Sequence, residues 1–193
     1  MITGATPGPD GLMRCPWALS APEYLAYHDD EWGRPVTTVQ GIYERMTLEA
    51  FQSGLSWITV LRKRENFRRA FAGFQPDLVS AFTEDDVARL LSDPGIIRNR
   101  AKITAAIANA RLVVDLGPRF AERVLKYRLV GRHRPDPGEL RATSPESVAL
   151  ARELKALGFR FFGPTTAYAM MQAIGLVDDH VAGCFAPPPV WPE

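Results

Sequence analysis

The stretch ELKALGFRFFGPTTAYAMMQAIG, residues 153–175, decides the fold. Two apolar-periodic segments flank the short turn GFRFFG, and Pro164 stands at a first helical turn, where a missing N–H costs nothing. Gly158 and Gly163 let the backbone turn tightly, and Gly175 closes the second helix. The segment reads as a helix-hairpin-helix. Unpaired N–H groups at the start of its second helix, beside Thr165 and Thr166, form an anion site that needs no charged side chain. The same pattern also fits an ordinary helical hairpin in a bundle.

Working outward, Ser144-Pro145 opens the helix that leads into this turn and ends near Gly158. A long amphipathic helix is predicted from Ile97 to Val114, and Thr83 with Asp86 caps a short one before it. Further upstream, Ile42, Met46 and Phe51 recur at helical intervals between Val39 and Ser53, where Gly54 stops the run, and another helix follows from about Ser56 to Phe71. Ser20 with Glu23 reads as a capping box opening a short helix on which Tyr24, Tyr27 and His28 share a face. Strand-like alternation is scarce and no repeat appears, so the class is all-α. Residues 117–143 show no clear periodicity. Residues 1–13 read as a flexible leader, 14–185 as a single domain and 186–193 (APPPVWPE) as an extended Pro-rich tail.

A chain of 193 residues can bury a genuine core in one body. Lys and Arg number 23 against 22 Asp and Glu, so a polyanion must be met by a local feature and not by a globally basic surface. No apolar run approaches the roughly 20 residues of a membrane span, and MITGATPGPDG lacks the regions of a signal peptide, so the expected location is cytoplasmic. The only two cysteines, Cys15 and Cys184, lie at opposite ends of the chain. In a reducing compartment a metal site explains them better than a disulfide.

Cys15, His28, His180 and Cys184 make a Cys₂His₂ donor set that suits tetrahedral, structural zinc with no position left for water. Two buried thiols and two hydrogen-bonded histidines fit the same spacing. Trp17, Tyr24, Tyr27, Trp32 and Trp57 bracket Glu49, a set fit to hold a flat, partly cationic ligand through ring faces and a desolvated carboxylate. The alternative is core rings beside a solvated Glu49. Arg98, Arg100 and Lys102 at the head of one helix, and RKR at 62–64, could each face phosphate or be plain solvated faces.

Taken together, CPWALSAPEYLAYHDDEWGRP (15–35), LEAFQSGLSWITVLRKRENFRRAF (48–71), GIIRNRAKI (95–103) and GFRFFGPTTAYAMMQAIGLVDDHVAGC (158–184) closely resemble the constitutive 3-methyladenine DNA glycosylase family. The resemblance runs from about residue 14 to 184. It implies a helix-hairpin-helix glycosylase whose zinc, held by Cys15, His28, His180 and Cys184, ties the two ends of the chain together. It further implies a base pocket of Trp17, Tyr24, Tyr27, Glu49 and Trp57, with Glu49 the catalytic candidate, and DNA contacts through Gly54, Leu55, Gly158, Gly163, Thr165 and Thr166. The implied partner is double-stranded DNA carrying 3-methyladenine, and no membrane partner and a monomer are expected. One position departs from the family. Asp178 stands where the family usually has Asn and where the wider superfamily has a catalytic aspartate, which makes it a rival to Glu49.

A non-enzymatic DNA-binding zinc protein would use the same hairpin and metal but has no need of an acidic, ring-lined pocket. A zinc hydrolase or deaminase is disfavoured, because neither HExxH nor HxE with PCxxC occurs.

Overall fold

The computed structural model describes residues 4–129, 134–136 and 139–192. Ten α-helices are found among them: α1 (Pro22–Asp30), α2 (Val39–Gln52), α3 (Trp57–Leu61), α4 (Arg64–Ala70), α5 (Pro76–Ser80), α6 (Glu84–Ser92), α7 (Arg100–Leu116), α8 (Pro118–Leu125), α9 (Pro145–Ala156) and α10 (Pro164–Ala173). A 3₁₀ turn, Pro16–Ser20, precedes α1. The all-α expectation therefore holds for the described residues, apart from one short ribbon. The exception lies in the expected leader, where Thr6–Pro7 (β1) pairs antiparallel with Met13–Arg14 (β2). Arg14 fixes that ribbon, its guanidinium gripping Asp10 at 2.6 Å and Asp29 at 2.8 Å. No helix is long and apolar enough to cross a membrane among the described residues.

The central helices are α2 and α7. Ile42, Tyr43, Met46, Leu48 and Phe51 of α2 are fully buried, and Thr38 caps its start by accepting from the Gly41 N–H. The rings of Phe51, Phe67, Phe71 and Phe74 fill the space beside it, with Phe71 and Phe74 stacked at 5.6 Å. Tyr43 donates from its hydroxyl to the Ala106 carbonyl and so joins α2 to α7 across the core.

Local chemistry sets several boundaries differently from the pattern. Ser20 does not cap α1: its hydroxyl donates back to the Trp17 carbonyl, Ala21 takes the cap position before Pro22, and Glu23 pairs with Arg62 instead. The helix predicted over 56–71 is two, α3 and α4, divided by a turn at Arg62 and Lys63, where the Lys63 N–H donates three residues back to the Val60 carbonyl. The long helix starts at Arg100 and not at Ile97, because the Asn99 side chain accepts from the Lys102 N–H. The Thr83–Asp86 capping box is present, and Ser144 caps α9 with Ser147 answering it. Of the stretch with no periodicity, residues 118–125 form α8, and 130–133 and 137–138 lie outside the described residues.

α9 and α10 pack against each other across the turn at residues 157–163. Gly158, at φ +98°, takes a left-handed conformation there that other residues adopt at a cost. Gly175, at φ +73°, passes so close to the chain near Arg34 that a Cβ would lie 2.7 Å from the Gly33 carbonyl oxygen. That contact brings the end of α10, and the VDDH segment after it, against the segment following α1.

Candidate functional site

Two buried polar clusters lie side by side where the chain ends meet α1. The first gathers Cys15, His28, His180 and Cys184, all buried, with their ligand atoms within 4.8 Å of one another. His180 Nδ1 and His28 Nε2 are 3.2 Å apart, Cys184 Sγ lies 3.4 Å from His28 Nε2 and 3.6 Å from His180 Nδ1, and Cys15 Sγ lies 3.7 Å from His180 Nδ1. A tetrahedral ion with metal–ligand distances of about 2.0–2.3 Å has edges of about 3.3–3.8 Å, close to these four separations, so the cluster could hold a metal ion. His28 Nδ1 faces Asp29 at 2.8 Å, which orients the ring and leaves Nε2 for the centre. The facing Cys184 sulfur and burial push the Cys15 thiol far up, while the Cys184 thiol is driven down. Two thiols that cannot both ionise unaided are what a divalent cation relieves.

The second cluster is a cavity of about 620 Å³ walled by Pro16, Trp17, Tyr24, Tyr27, Trp32, Glu49, Gln52, Trp57, Leu140, Ala169, Gln172, Asp179 and Val181. The 3₁₀ turn presents Trp17, whose ring stands edge-on to Tyr24 at 5.5 Å and to Trp32 at 5.1 Å. Tyr24 and Tyr27 come from α1, Glu49 and Gln52 from α2, and Trp57 from the start of α3, with the Tyr27 and Trp57 rings 5.5 Å apart. All five residues expected to form a ring-lined acidic pocket meet there.

Glu49 is the odd group in this wall. It is buried, and among the described residues no hydrogen bond reaches its carboxylate. Burial raises its pKa to about 8, opposed by the charge of Arg45, which is itself paired with Glu31 and Glu44. Tyr27 is pushed well above the usual phenol range by burial and by Glu49, so it stays a neutral hydroxyl.

The methyladenine glycosylase family profile matches residues 17–187. The chain belongs to this family. DNA-3-methyladenine glycosylase 1 of Escherichia coli (strain K12) is 45% identical over 182 residues, which cover 90% of this chain and 96% of that protein. The DNA-3-methyladenine glycosylase of Haemophilus influenzae is 40% identical over 177 residues, covering 89% and 96%. Among solved structures, a crystal structure of 3-methyladenine DNA glycosylase I superimposes with a TM-score of 0.85 at 45% identity, covering 91% of this chain and 100% of that one. The Staphylococcus aureus enzyme, solved to explain its recognition of 3-methyladenine, gives a TM-score of 0.85 at 29% identity, covering 93% and 98%.

Within the family's frame the remaining sequence expectations separate. Gly54 and Leu55 are exposed on the loop between α2 and α3. Gly158 and Gly163 are exposed in the turn before α10, Thr165 is exposed and Thr166 half-buried in its first turn, and no side chain caps that helix. The basic segments do not line up toward a polyanion. Arg62 pairs with Glu23, Arg64 with Glu31, Arg100 with Glu84, and Lys63 donates to the Pro94 carbonyl. Lys102 is buried, and of the cations in these two segments Arg98 is exposed with no partner among the described residues.

Asp178 does not reach the cavity. Its carboxylate accepts from Arg134 Nε at 2.9 Å and from the His180 N–H at 3.2 Å, and Arg134 also donates to the Cys184 and Ala186 carbonyls. The aspartate in the cavity wall is its neighbour, Asp179, which accepts from the Tyr168 hydroxyl at 2.6 Å and from Gln172 at 2.9 Å. The sequence reading missed Asp179, Gln52 and Gln172. Its one available signal was the adjacency of two aspartates to His180, and that cannot say which points inward.

Proposed function

We propose that the protein is a DNA repair glycosylase that hydrolyses the N-glycosidic bond of 3-methyladenine in alkylated double-stranded DNA and leaves an abasic site. The observation that carries this reading is the aromatic cavity closed by a buried carboxyl with no hydrogen bond among the described residues. A purine methylated at N3 carries positive charge in the nucleotide. Ring faces favour such a cation by about 0.5–2 kcal/mol each, and a carboxylate adds a charge-assisted hydrogen bond of about 1.5–3 kcal/mol. Neutral adenine gains neither in full.

The nucleotide leaves the stack and enters the cavity, where Trp17, Tyr24, Tyr27 and Trp57 hold the base. Glu49, with its pKa at about 8, is largely protonated in the empty cavity at neutral pH. A cationic base favours the carboxylate, so binding displaces that proton and tightens as pH rises toward 8. The bond from the base nitrogen to C1′ then breaks with its electron pair going to the base, water adds to C1′, and a proton is released. Because the cationic base departs readily, Glu49 acts on recognition and on the charge that shifts as the bond breaks, and need not make the water nucleophilic.

The turn 158–163, which exposes Gly158, Arg160, Phe161 and Gly163, and the uncapped amides at Thr165 and Thr166 support a helix-hairpin-helix clamp on the phosphate backbone, which explains how a near-neutral chain grips DNA. Exposed Gly54-Leu55 fits a loop that abuts the duplex near the vacated base position. Cys15, His28, His180 and Cys184 fit a structural Zn²⁺ that clasps the two ends of a single domain over residues 14–185. The enzyme works as a monomer in the cytoplasm. Incubation with methylated duplex DNA should release 3-methyladenine; duplex left intact, with no base released, would sink the assignment.

A further inference from the structure

α7 carries two buried polar side chains that the cavity and the metal cluster do not use. Lys102 is buried, yet its ammonium donates to the Phe51 carbonyl at 2.9 Å and the Ser53 carbonyl at 2.6 Å. These carbonyls lie at the end of α2, where the helix leaves its last C=O groups unpaired and its dipole favours a cation. The loop Ser53–Ser56 starts at that point and carries the exposed Leu55. Asn109 is buried as well. Its side chain accepts from the Arg160 N–H at 2.9 Å and donates to the Arg160 carbonyl at 3.0 Å, holding both backbone groups of a residue inside the turn 158–163. The next residue, Phe161, sits exposed at φ +54°, a strained conformation that needs such support.

Lys102 and Asn109 are seven residues apart, close to two full helical turns, so they share a face at a separation of about 10.5 Å along the axis. Ala106 lies between them on that face and takes the hydrogen bond from Tyr43 of α2. One rigid helix thus holds two exposed, otherwise independent segments at a fixed spacing.

We infer that α7 is a strut that sets the spacing between the 53–56 loop and the 158–163 turn on duplex DNA, with Lys102 and Asn109 as its positioning residues. The inference rests on the DNA-binding reading above. Neither residue touches the base cavity, so their role concerns the grip on the duplex and leaves base recognition to the ring-lined wall. Burial lowers the pKa of the Lys102 ammonium, a cost that a helix-end carbonyl pair offsets.

Lys102→Met and Asn109→Leu keep volume and remove the polar bonds. Each should weaken binding of abasic-site duplex and raise KM for methylated duplex by about tenfold, with kcat and the affinity for free 3-methyladenine within about twofold of the parent. Duplex affinity equal to the parent's in both variants would overturn the inference. So would a parallel fall in duplex binding, free-base binding and melting temperature, which is the mark of a merely structural role. If Lys102→Met yields no folded protein, Asn109→Leu decides alone. A parent that grips duplex but releases no base would overturn the glycosylase reading, and the binding comparison would still decide the strut.

Discussion

The Cys/His cluster and the ring-lined cavity share a wall, yet they treat buried polar groups in opposite ways. In the cluster each donor atom faces another at 3.2–3.7 Å, and Asp29 orients the His28 ring. In the cavity Glu49 is just as buried and receives no hydrogen bond from the described residues, so burial holds its proton on to a pKa of about 8. The first arrangement gathers donors that already partner one another and suits the stabilising ion proposed above. The second is left incomplete and waits for a ligand, at a cost in stability that structures tolerate where function needs it.

Removing the metal should break this contrast most severely. Structural zinc sites contribute apparent binding free energies of about 10–16 kcal/mol in small domains, so chelation or Cys184→Ser should lower melting temperature far more than any cavity substitution. Metal content and thermal unfolding measured together check this; a Cys184→Ser protein that keeps one tight zinc at full stability would remove Cys184 from the ligand set.

The next largest effect is expected at Glu49. Glu49→Gln keeps shape and an acceptor oxygen but no charge, which costs roughly 1.5–3 kcal/mol, or about one to two orders of magnitude in single-turnover excision. Gly163→Pro should act at the clamp alone. The Gly163 φ of −87° is near what proline tolerates, so the fold persists while an exposed amide is lost. Abasic-site duplex should bind about tenfold more weakly; unchanged binding by the folded variant would exclude the clamp. Asp178→Asn should have the smallest effect. Asn retains an acceptor for Arg134 and the residue lies outside the cavity, so excision should stay within about twofold. Abolished excision in folded protein would hand the catalytic role to Asp178.

Much of this was legible in the sequence for reasons that can be named. Helices with strong local stops appear where the pattern puts them: Gly54 and Gly175 end theirs, Pro164 and Ser144-Pro145 begin theirs. What the pattern misjudged depends on partners far away in the chain. Ser20 looks like a cap because Glu23 is three residues on, but Glu23 is drawn to Arg62. The basic residues of 62–64 and 98–102 look free in sequence and are mostly committed to carboxylates or carbonyls in space. Lys102 is the clearest case, a cation expected outside and found capping α2. The grouping of Cys15, His28, His180 and Cys184 followed from residue type and family resemblance, whereas the choice between Asp178 and Asp179 turns on which face of an irregular segment meets Arg134, and no periodicity encodes that.

The pH dependence of stability in Glu49→Gln against the parent tests the central claim most directly. Unfolded Glu49 titrates near its ordinary 4.5 and folded Glu49 at about 8. Between these values the folded parent holds a proton that the unfolded chain has lost, so its stability falls as pH rises across that window and levels off above it. Glu49→Gln has no such proton. Its melting temperature relative to the parent should climb from about pH 5 to pH 8, by about 2–4 °C for each kcal/mol recovered, while excision slows. A variant less stable than the parent at every pH, with excision unchanged, would contradict the account of the cavity as a site left unsatisfied for its ligand.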